Sequence, residues 1–314
     1  MSFSRILALC SLAGLAAAVL LWPTPAHAWA PLAHLSFSAQ ALQSLGLVQS
    51  PVRALLEDFG NEFLYGSLAA DIVVGKNMAR YLYHCHNWRV GFNVFRQARA
   101  GAEQAIALGF LAHLAADTVA HNYYVPFKTV ASFHKASTRH AYWELRYDQR
   151  MDRELSALAR QVSTRAIRGH DDFLARTLGG ASVIPFGVSR QLFRSLLASA
   201  RVSRFHQVSR FALARERSLV LEPDLVTETT GMAVWAIVGL LDEGERSLAA
   251  RADATGARNI KLASDLRKRL QERTRRRQVS FRDAAEIAAE TRESFRRAIQ
   301  GKLVLPPSVG RLAA

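Results

Sequence analysis

Helical periodicity runs through most of this 314-residue chain and constrains its fold more than any other feature. Apolar residues recur at spacings of three and four, as they do on a helix with one buried face, and strand-like alternation is scarce. The periodic stretches are 36–48, 91–121, 140–160, 190–216, 228–250, 259–273 and 281–300. Gly and Pro break the pattern at 178–188, which we expect to form a loop. The sequence therefore predicts an all-α protein, built as a multi-helix bundle.

The first 28 residues have the pattern of a signal peptide. Arg5 precedes an apolar run at 6–21, and Ala26-His27-Ala28 supplies the small residues after which signal peptidase cuts. The alternative is an uncleaved anchor, for which the apolar run is short. We expect cleavage after Ala28 and export to the periplasm or the medium. Cleavage would also remove one of the two cysteines, and a single cysteine cannot form an internal disulfide.

The chain is strongly basic, with a formal net charge of +15. Such a charge favours anionic partners, namely nucleic acid, phospholipid head groups or acidic polysaccharide. Residues 265–277 carry seven bases and two acids, which could be a solvated helix face or a surface that seeks phosphate. The apolar run 232–241 is too short to cross a bilayer, so we predict a buried helix there and no transmembrane segment in the mature chain.

Three residues with metal-binding side chains recur every fourth position, at His113, Asp117 and His121. Each four-residue step turns a helix by about 400°, so the three side chains drift by only about 80° and share one stripe. The stripe lies among Ala and Leu, and burying a charge without a partner is costly. Either other side chains or a cation must compensate the buried charge of this stripe, and two imidazoles with a carboxylate suit zinc.

Other candidate ligands lie on both sides of this stripe. His140 and Glu144 are again four apart, although such a pair is also common as a simple ion pair. Upstream, the candidates are Asp71, the rival pair His84 and His86, and His34 together with the amino group that cleavage would create at Trp29.

Together these residues resemble the zinc-dependent phospholipase C family, which is related to the secreted single-strand-specific nucleases. In that family the mature chain begins with a Trp whose amino nitrogen and carbonyl oxygen bind zinc, and histidines and carboxylates follow in a set order. The positions that match this order are Trp29, His34, Asp71, His86, His113, Asp117, His121, His140 and Glu144. The resemblance covers residues 29–150 and implies a helical bundle of this family's type. The basic C-terminal half has no counterpart that we identify in the family, and we expect it to form additional helices packed on this bundle.

The resemblance also implies how up to three Zn²⁺ ions would be held. The first ion would take Asp71, His86, His113 and Asp117, the second His121, His140 and Glu144, and the third Trp29, His34 and Asp117. Asp117 would then bridge two ions, and Asp71 would have an additional catalytic role as a base. The spacing from His121 to His140 is longer than usual, so we expect an insertion to loop out around 126–137, with His134 inside it.

The function implied is phosphodiester hydrolysis, because clustered cations stabilise negative charge on phosphate and lower the pKa of bound water. We expect a phospholipase C acting on glycerophospholipids, with peripheral contact to an anionic membrane surface. The alternatives are a nuclease or nucleotidase on the same metal site and a non-catalytic zinc-binding protein. The predicted organisation is a signal peptide at 1–28, a phospholipase C-like domain at 29–245 and a basic helical extension at 246–314.

Overall fold

The computed structural model describes residues 31–72, 85–135, 143, 146–148, 150–151, 153–178, 187–188, 191 and 221–313. Throughout this part of the chain the regular structure is helical, which confirms the all-α prediction. The α-helices are α1 Pro31–Gln43, α2 Ser50–Asp58, α3 Gly60–Ala69, α4 Trp88–Gln97, α5 Ala102–Val119, α6 Val125–Ala131, α7 Arg153–Leu178, α8 Pro223–Glu243, α9 Ala257–Arg275, α10 Phe281–Ala298 and α11 Pro307–Ala313. A π-helical turn, Ala120–Tyr124, joins α5 to α6, and short 3₁₀ turns lie at Leu45–Leu47, Gly244–Arg246 and Ala249–Arg251. Apart from residue 191, the predicted helix at 190–216 lies outside the described residues, as does most of the predicted loop at 178–188.

Helix α5 is the centre of the bundle. Every residue from Ala105 to Val119 is buried, as expected for a helix that is apolar nearly all round. Helices α3, α8, α4 and α1 pack around it. The side chains that α5 projects therefore meet those of several other helices in the interior.

Two glycines allow α3 and α5 to approach more closely than most helix pairs. A Cβ atom at Gly66 would lie 2.0 Å from the Ile106 carbonyl oxygen, and one at Gly109 would lie 2.0 Å from the Phe63 carbonyl oxygen. Since each glycine faces the backbone of the opposite helix, any side chain at either position would force the helices apart. The contact fixes the distance between the end of α3 and the stripe that follows Gly109 on α5.

The structure differs from the sequence predictions in two stretches. The periodic stretch 91–121 forms two helices rather than one, because the chain turns between α4 and α5 and Gly101 adopts a φ of 79° there. The predicted looping out of 126–137 is wrong for its first half, since Val125–Ala131 continues from the π-helical turn as α6 with its residues 125–130 buried. Proline at position 126 is compatible with this helix because its missing N–H falls in the first turn.

Helix α8 extends well beyond the apolar run 232–241. It has 21 residues, and only one face, including Ala233, Ile237 and Leu241, is buried. Trp235 on another face is 67% exposed. By length and composition, Pro223–Arg246 could cross a membrane, and 39% of its most apolar window is buried in the protein. The prediction of a buried helix therefore holds for one face only.

The C-terminal helices pack onto the part of the bundle that follows α5. Helices α9 and α10 contact α6, and both also contact the π-helical turn. Arg292 on α10 joins the packing through Glu228, 2.7 Å away on α8, and through the hydroxyl of Tyr123. The additional C-terminal helices are thus confirmed, and five of the seven bases at 265–277 are exposed, as their spacing along a helix predicted. The domain boundary at 245 stays a prediction.

Candidate metal centre

Five of the predicted ligands come together from four parts of the chain. His34 lies on α1, Asp71 in the turn after α3, and His86 in the turn before α4. His113 and Asp117 lie one turn apart on α5. Because α1, α3 and α4 all pack on α5, their polar side chains meet at its buried stripe.

The nitrogen and oxygen atoms of this cluster converge at short distances. The Nε2 atoms of His86 and His113 are 2.9 Å apart, and Asp117 Oδ2 lies 3.4 Å from each of them. Asp117 Oδ1 lies 3.2 Å from His34 Nε2.

The fifth side chain joins the cluster from its more open side. Asp71 Oδ1 lies 3.5 Å from His86 Nε2 and 3.9 Å from His113 Nε2. The side chain of Asp71 is 16% exposed, whereas those of the other four residues are 3% exposed or less. Asp71 is therefore the member of the cluster that water can reach most readily.

These distances fit a zinc site. Two ligands of one tetrahedral zinc ion, with bonds of about 2.0–2.1 Å, lie about 3.3 Å apart. The contacts among the five side chains, from 2.9 to 3.9 Å, bracket that value. Two sets of three offer one ligand atom each within 4.8 Å of one another: His34, Asp71 and His113, and His86, His113 and Asp117.

The protonation states of the cluster also suit a cation. Burial, with His113 alongside, lowers the pKa of His34 below its ordinary value, although Asp117 partly offsets this. Burial opposes ionisation of Asp117, but His113 and His34 outweigh it and hold the pKa of Asp117 well below its usual range. A neutral imidazole beside an ionised carboxylate is the form in which both groups bind metal.

Hydrogen bonds outside the cluster orient two of the imidazoles. His113 Nδ1 lies 2.8 Å from the Ser67 carbonyl oxygen, which can only accept, so Nδ1 carries the proton and the Nε2 lone pair faces the cluster. The ring of His34 stacks on that of His113, with centroids 3.7 Å apart. Cys85 is buried, and its Sγ lies 3.3 Å from His86 Nδ1.

His121 does not belong to either set of three among the described residues. It lies in the π-helical turn, where the backbone departs from the 3.6-residue period that placed it on the stripe of His113 and Asp117. Its Nδ1 lies 2.6 Å from the Ala254 carbonyl oxygen. The predicted partners of His121, namely His140 and Glu144, lie outside the described residues, as do Trp29, His84 and the whole signal peptide.

Sequence reasoning missed two features next to the cluster. Asp148 Oδ1 accepts a hydrogen bond from the Ala33 amide at 2.8 Å and so holds the first turn of α1 directly before His34. Its position four residues after Glu144 is a spacing that could have drawn attention to it. The other feature is the backbone at 252–256, where the Ala254 carbonyl contacts His121. A contact made by a backbone carbonyl cannot be recognised from residue types.

A helical bundle with imidazoles and carboxylates converging on its central helix defines a metal-binding protein of the all-α class. Residues 33–178 match the family model described as zinc dependent phospholipase C, and this match supports placing the protein in that family. The family consists of phosphodiester hydrolases, so the protein is an enzyme of this class. No curated protein and no solved structure matches the chain.

Proposed function

We propose that the protein is an exported phospholipase C that hydrolyses glycerophospholipids with up to three Zn²⁺ ions. The observation that carries the proposal is the convergence of three imidazoles and two carboxylates on α5, inside the segment that matches the family model. The exposed bases at 265–277 support peripheral contact with an anionic membrane surface.

Asp117 is the residue best suited to bridge two ions. One of its carboxylate oxygens faces His34 and the other faces His86 and His113, so each oxygen can serve a different ion. This geometry supports the family assignment of Asp117 to two sites. His34 also groups with Asp71 and His113, which the family assignment gives to another ion, so these two sites adjoin.

Bound zinc would stabilise negative charge on the phosphate and lower the pKa of water. Asp71 is the side chain that can accept the proton of the attacking water, because it is both within the cluster and partly exposed. The water oxygen would attack phosphorus as its proton passes to Asp71, the bond from phosphorus to the glycerol oxygen would break, and the glycerol oxygen would take up a proton from Asp71 or from solvent. Diacylglycerol and a phosphorylated head group leave.

The test is metal analysis of the purified chain, with parallel assays on phosphatidylcholine and single-stranded DNA. We expect two to three zinc ions per chain and release of diacylglycerol that a chelator abolishes and zinc restores. Asp71→Asn should lose this activity, while Asp58→Asn, an exposed carboxylate on α2, should keep it. Activity on DNA alone would favour the nuclease, and a chain that binds no zinc would refute the proposal.

The N-terminal ligand has its own test. If the amino group of Trp29 binds zinc after cleavage, one additional residue before Trp29 moves that group away. Such an extended form should lose one zinc ion and most activity relative to a form that begins at Trp29. An extended form with full zinc content would remove Trp29 from the ligand set.

A further inference from the structure

Three consecutive backbone carbonyls from a distant part of the chain accept hydrogen bonds from a predicted metal ligand and from two residues close to predicted ligands in sequence. The carbonyl oxygen of Ala252 accepts a hydrogen bond from Trp88 Nε1–H at 2.8 Å. The carbonyl oxygen of Asp253 accepts one from the side-chain amide of Asn122 at 2.9 Å, and that of Ala254 accepts one from His121 Nδ1–H at 2.6 Å. These residues belong to the 252–256 loop, between the last 3₁₀ turn and α9, and the loop lies well outside the segment that matches the family model.

The three donors adjoin the predicted ligands. Trp88 follows His86 by two residues, Asn122 follows His121 directly, and the third donor is His121 itself. A carbonyl oxygen can only accept, so the hydrogen bond from His121 fixes the proton on Nδ1 and leaves the Nε2 lone pair for a cation.

Hydrogen bonds within the 252–256 loop and at the start of α9 hold the loop in this position. The carboxylate of Asp253 accepts from the amide and the hydroxyl of Thr255, which stiffens the loop from within. Asn259 at the start of α9 donates to the side-chain oxygen of Asn122 at 2.8 Å, which ties the helix to the same turn. Ala252, Ala254 and Thr255 are buried, so the hydrogen bonds are shielded from water.

Gly256 brings the loop against the backbone of the ligand itself. Its φ of 53° lies in the left-handed region, and a Cβ atom there would lie 2.3 Å from the carbonyl oxygen of His121 and 2.5 Å from its Cβ atom. A side chain at 256 would therefore push the loop away from His121.

We infer that the 252–256 loop positions His121 for metal binding, so that the C-terminal region completes a metal centre whose ligands lie in the first half of the chain. The inference rests on the proposed assignment of His121 as a zinc ligand. Loss of a hydrogen-bond partner from a metal-binding histidine weakens metal affinity by about 10- to 100-fold.

The test compares Gly256→Ala with Gly301→Ala in the full chain, using zinc as the probe. Gly301 also has a positive φ, of 74°, but a Cβ atom there would meet nothing within 4 Å. We expect Gly256→Ala to bind its most weakly held zinc about 10- to 100-fold less tightly than wild type, and Gly301→Ala to bind it as wild type does. Equal zinc affinity in the two variants would overturn the inference.

Two further measurements keep the inference testable if Gly256→Ala does not fold or if zinc binding fails altogether. Trp88→Phe keeps an aromatic ring but removes one of the three hydrogen bonds, and it should weaken the same zinc site by up to about tenfold. In the metal-free chain, nitrogen NMR of the histidine rings should show the proton of His121 on Nδ1. If wild type binds no zinc but shows this tautomer, the proposed function fails and the positioning stands. If the ring shows the other tautomer, the positioning fails whatever the zinc content.

Discussion

A side chain added at Gly66 or Gly109, where α3 and α5 approach closely, should destabilise the fold and the metal centre together. Replacing Gly66 by Ala places a Cβ atom 2.0 Å from the Ile106 carbonyl oxygen, whereas ordinary contact begins at about 3.4 Å. Helices α3 and α5 would have to separate by about 1.4 Å. Overpacking a core usually costs about 1–3 kcal/mol, and here no side-chain rotation can relieve it because the clash is with backbone. We expect Gly66→Ala to lower the free energy of unfolding by about 3 kcal/mol.

The same displacement should reach the ligands. The Ser67 carbonyl that accepts from His113 follows Gly66 directly, and its hydrogen bond of 2.8 Å would stretch beyond hydrogen-bonding distance. Gly66→Ala should therefore also lower the zinc content, and this loss should be seen at urea concentrations where the variant is still folded. Gly109→Ala should behave similarly, because it meets the Phe63 carbonyl at the same short distance.

The matched control is Gly239→Ala on α8, where a Cβ atom would meet nothing within 4 Å. Alanine in a helix interior is more favourable than glycine by about 0.5–1 kcal/mol, so this variant should be slightly more stable than wild type. Urea unfolding followed by circular dichroism gives the three free energies, and metal analysis gives the zinc content. If Gly66→Ala unfolds at the wild-type urea concentration with its zinc retained, the close approach of α3 and α5 is not as described.

Three further predictions concern single groups. Asp117→Asn keeps the size of the buried side chain but removes the charge shared between two ions, so metal analysis should show a larger loss of zinc than for Glu144→Gln; equal losses would argue against a bridge. Burial, opposed by the Ala33 amide, raises the pKa of Asp148 from 3.8 to about 7, so in metal-free protein its contribution to the free energy of unfolding should be lost as pH rises from about 4 to 7. Asp148→Asn should remove that contribution, and parallel wild-type and variant curves in urea between pH 4 and 8 would contradict it. Replacing the three exposed bases at 275–277 with Gln should weaken binding to anionic vesicles by about two orders of magnitude, at about 1 kcal/mol per base, and leave hydrolysis of a soluble ester unchanged; unchanged vesicle affinity at low salt would leave them a solvated face.

Local spacing predicts the part of the site that a single helix controls. His113 and Asp117 face the same way because α5 is regular between them, and the sequence alone places both on one stripe. The same rule carries less far for His121, because the π-helical turn begins at Ala120 and changes the number of residues per turn. The side chains of residues 120–124 give no indication of this change in the number of residues per turn.

Contacts between distant segments are harder to obtain from sequence. That His34 and His86 approach α5 follows from the packing of α1 and α4 on it. From the sequence, only the resemblance to a known family indicated that these two histidines share metal sites with Asp117. The contacts of the 252–256 carbonyls are even harder to predict from sequence, because every residue has a carbonyl and only the fold decides which ones face a histidine. Hydrogen bonds from backbone to ligand are therefore the part of a metal site that residue patterns predict least well.

The packing of α5 explains why stability and chemistry should be coupled in this protein. Gly109, His113 and Asp117 follow one another at four-residue intervals on the same buried face, so the stripe that lets α3 approach is continuous with the stripe that gathers the ligands. The two carboxylates enclosed there repel each other less when a cation lies between them, and a ligand that binds only the folded state adds its binding free energy to stability. Zinc should therefore stabilise the bundle, and it should do so through α5, because that helix contacts every element that contributes a described ligand. The C-terminal helices share in this coupling, since the 252–256 loop contacts His121 and leads directly into α9, which packs on α6.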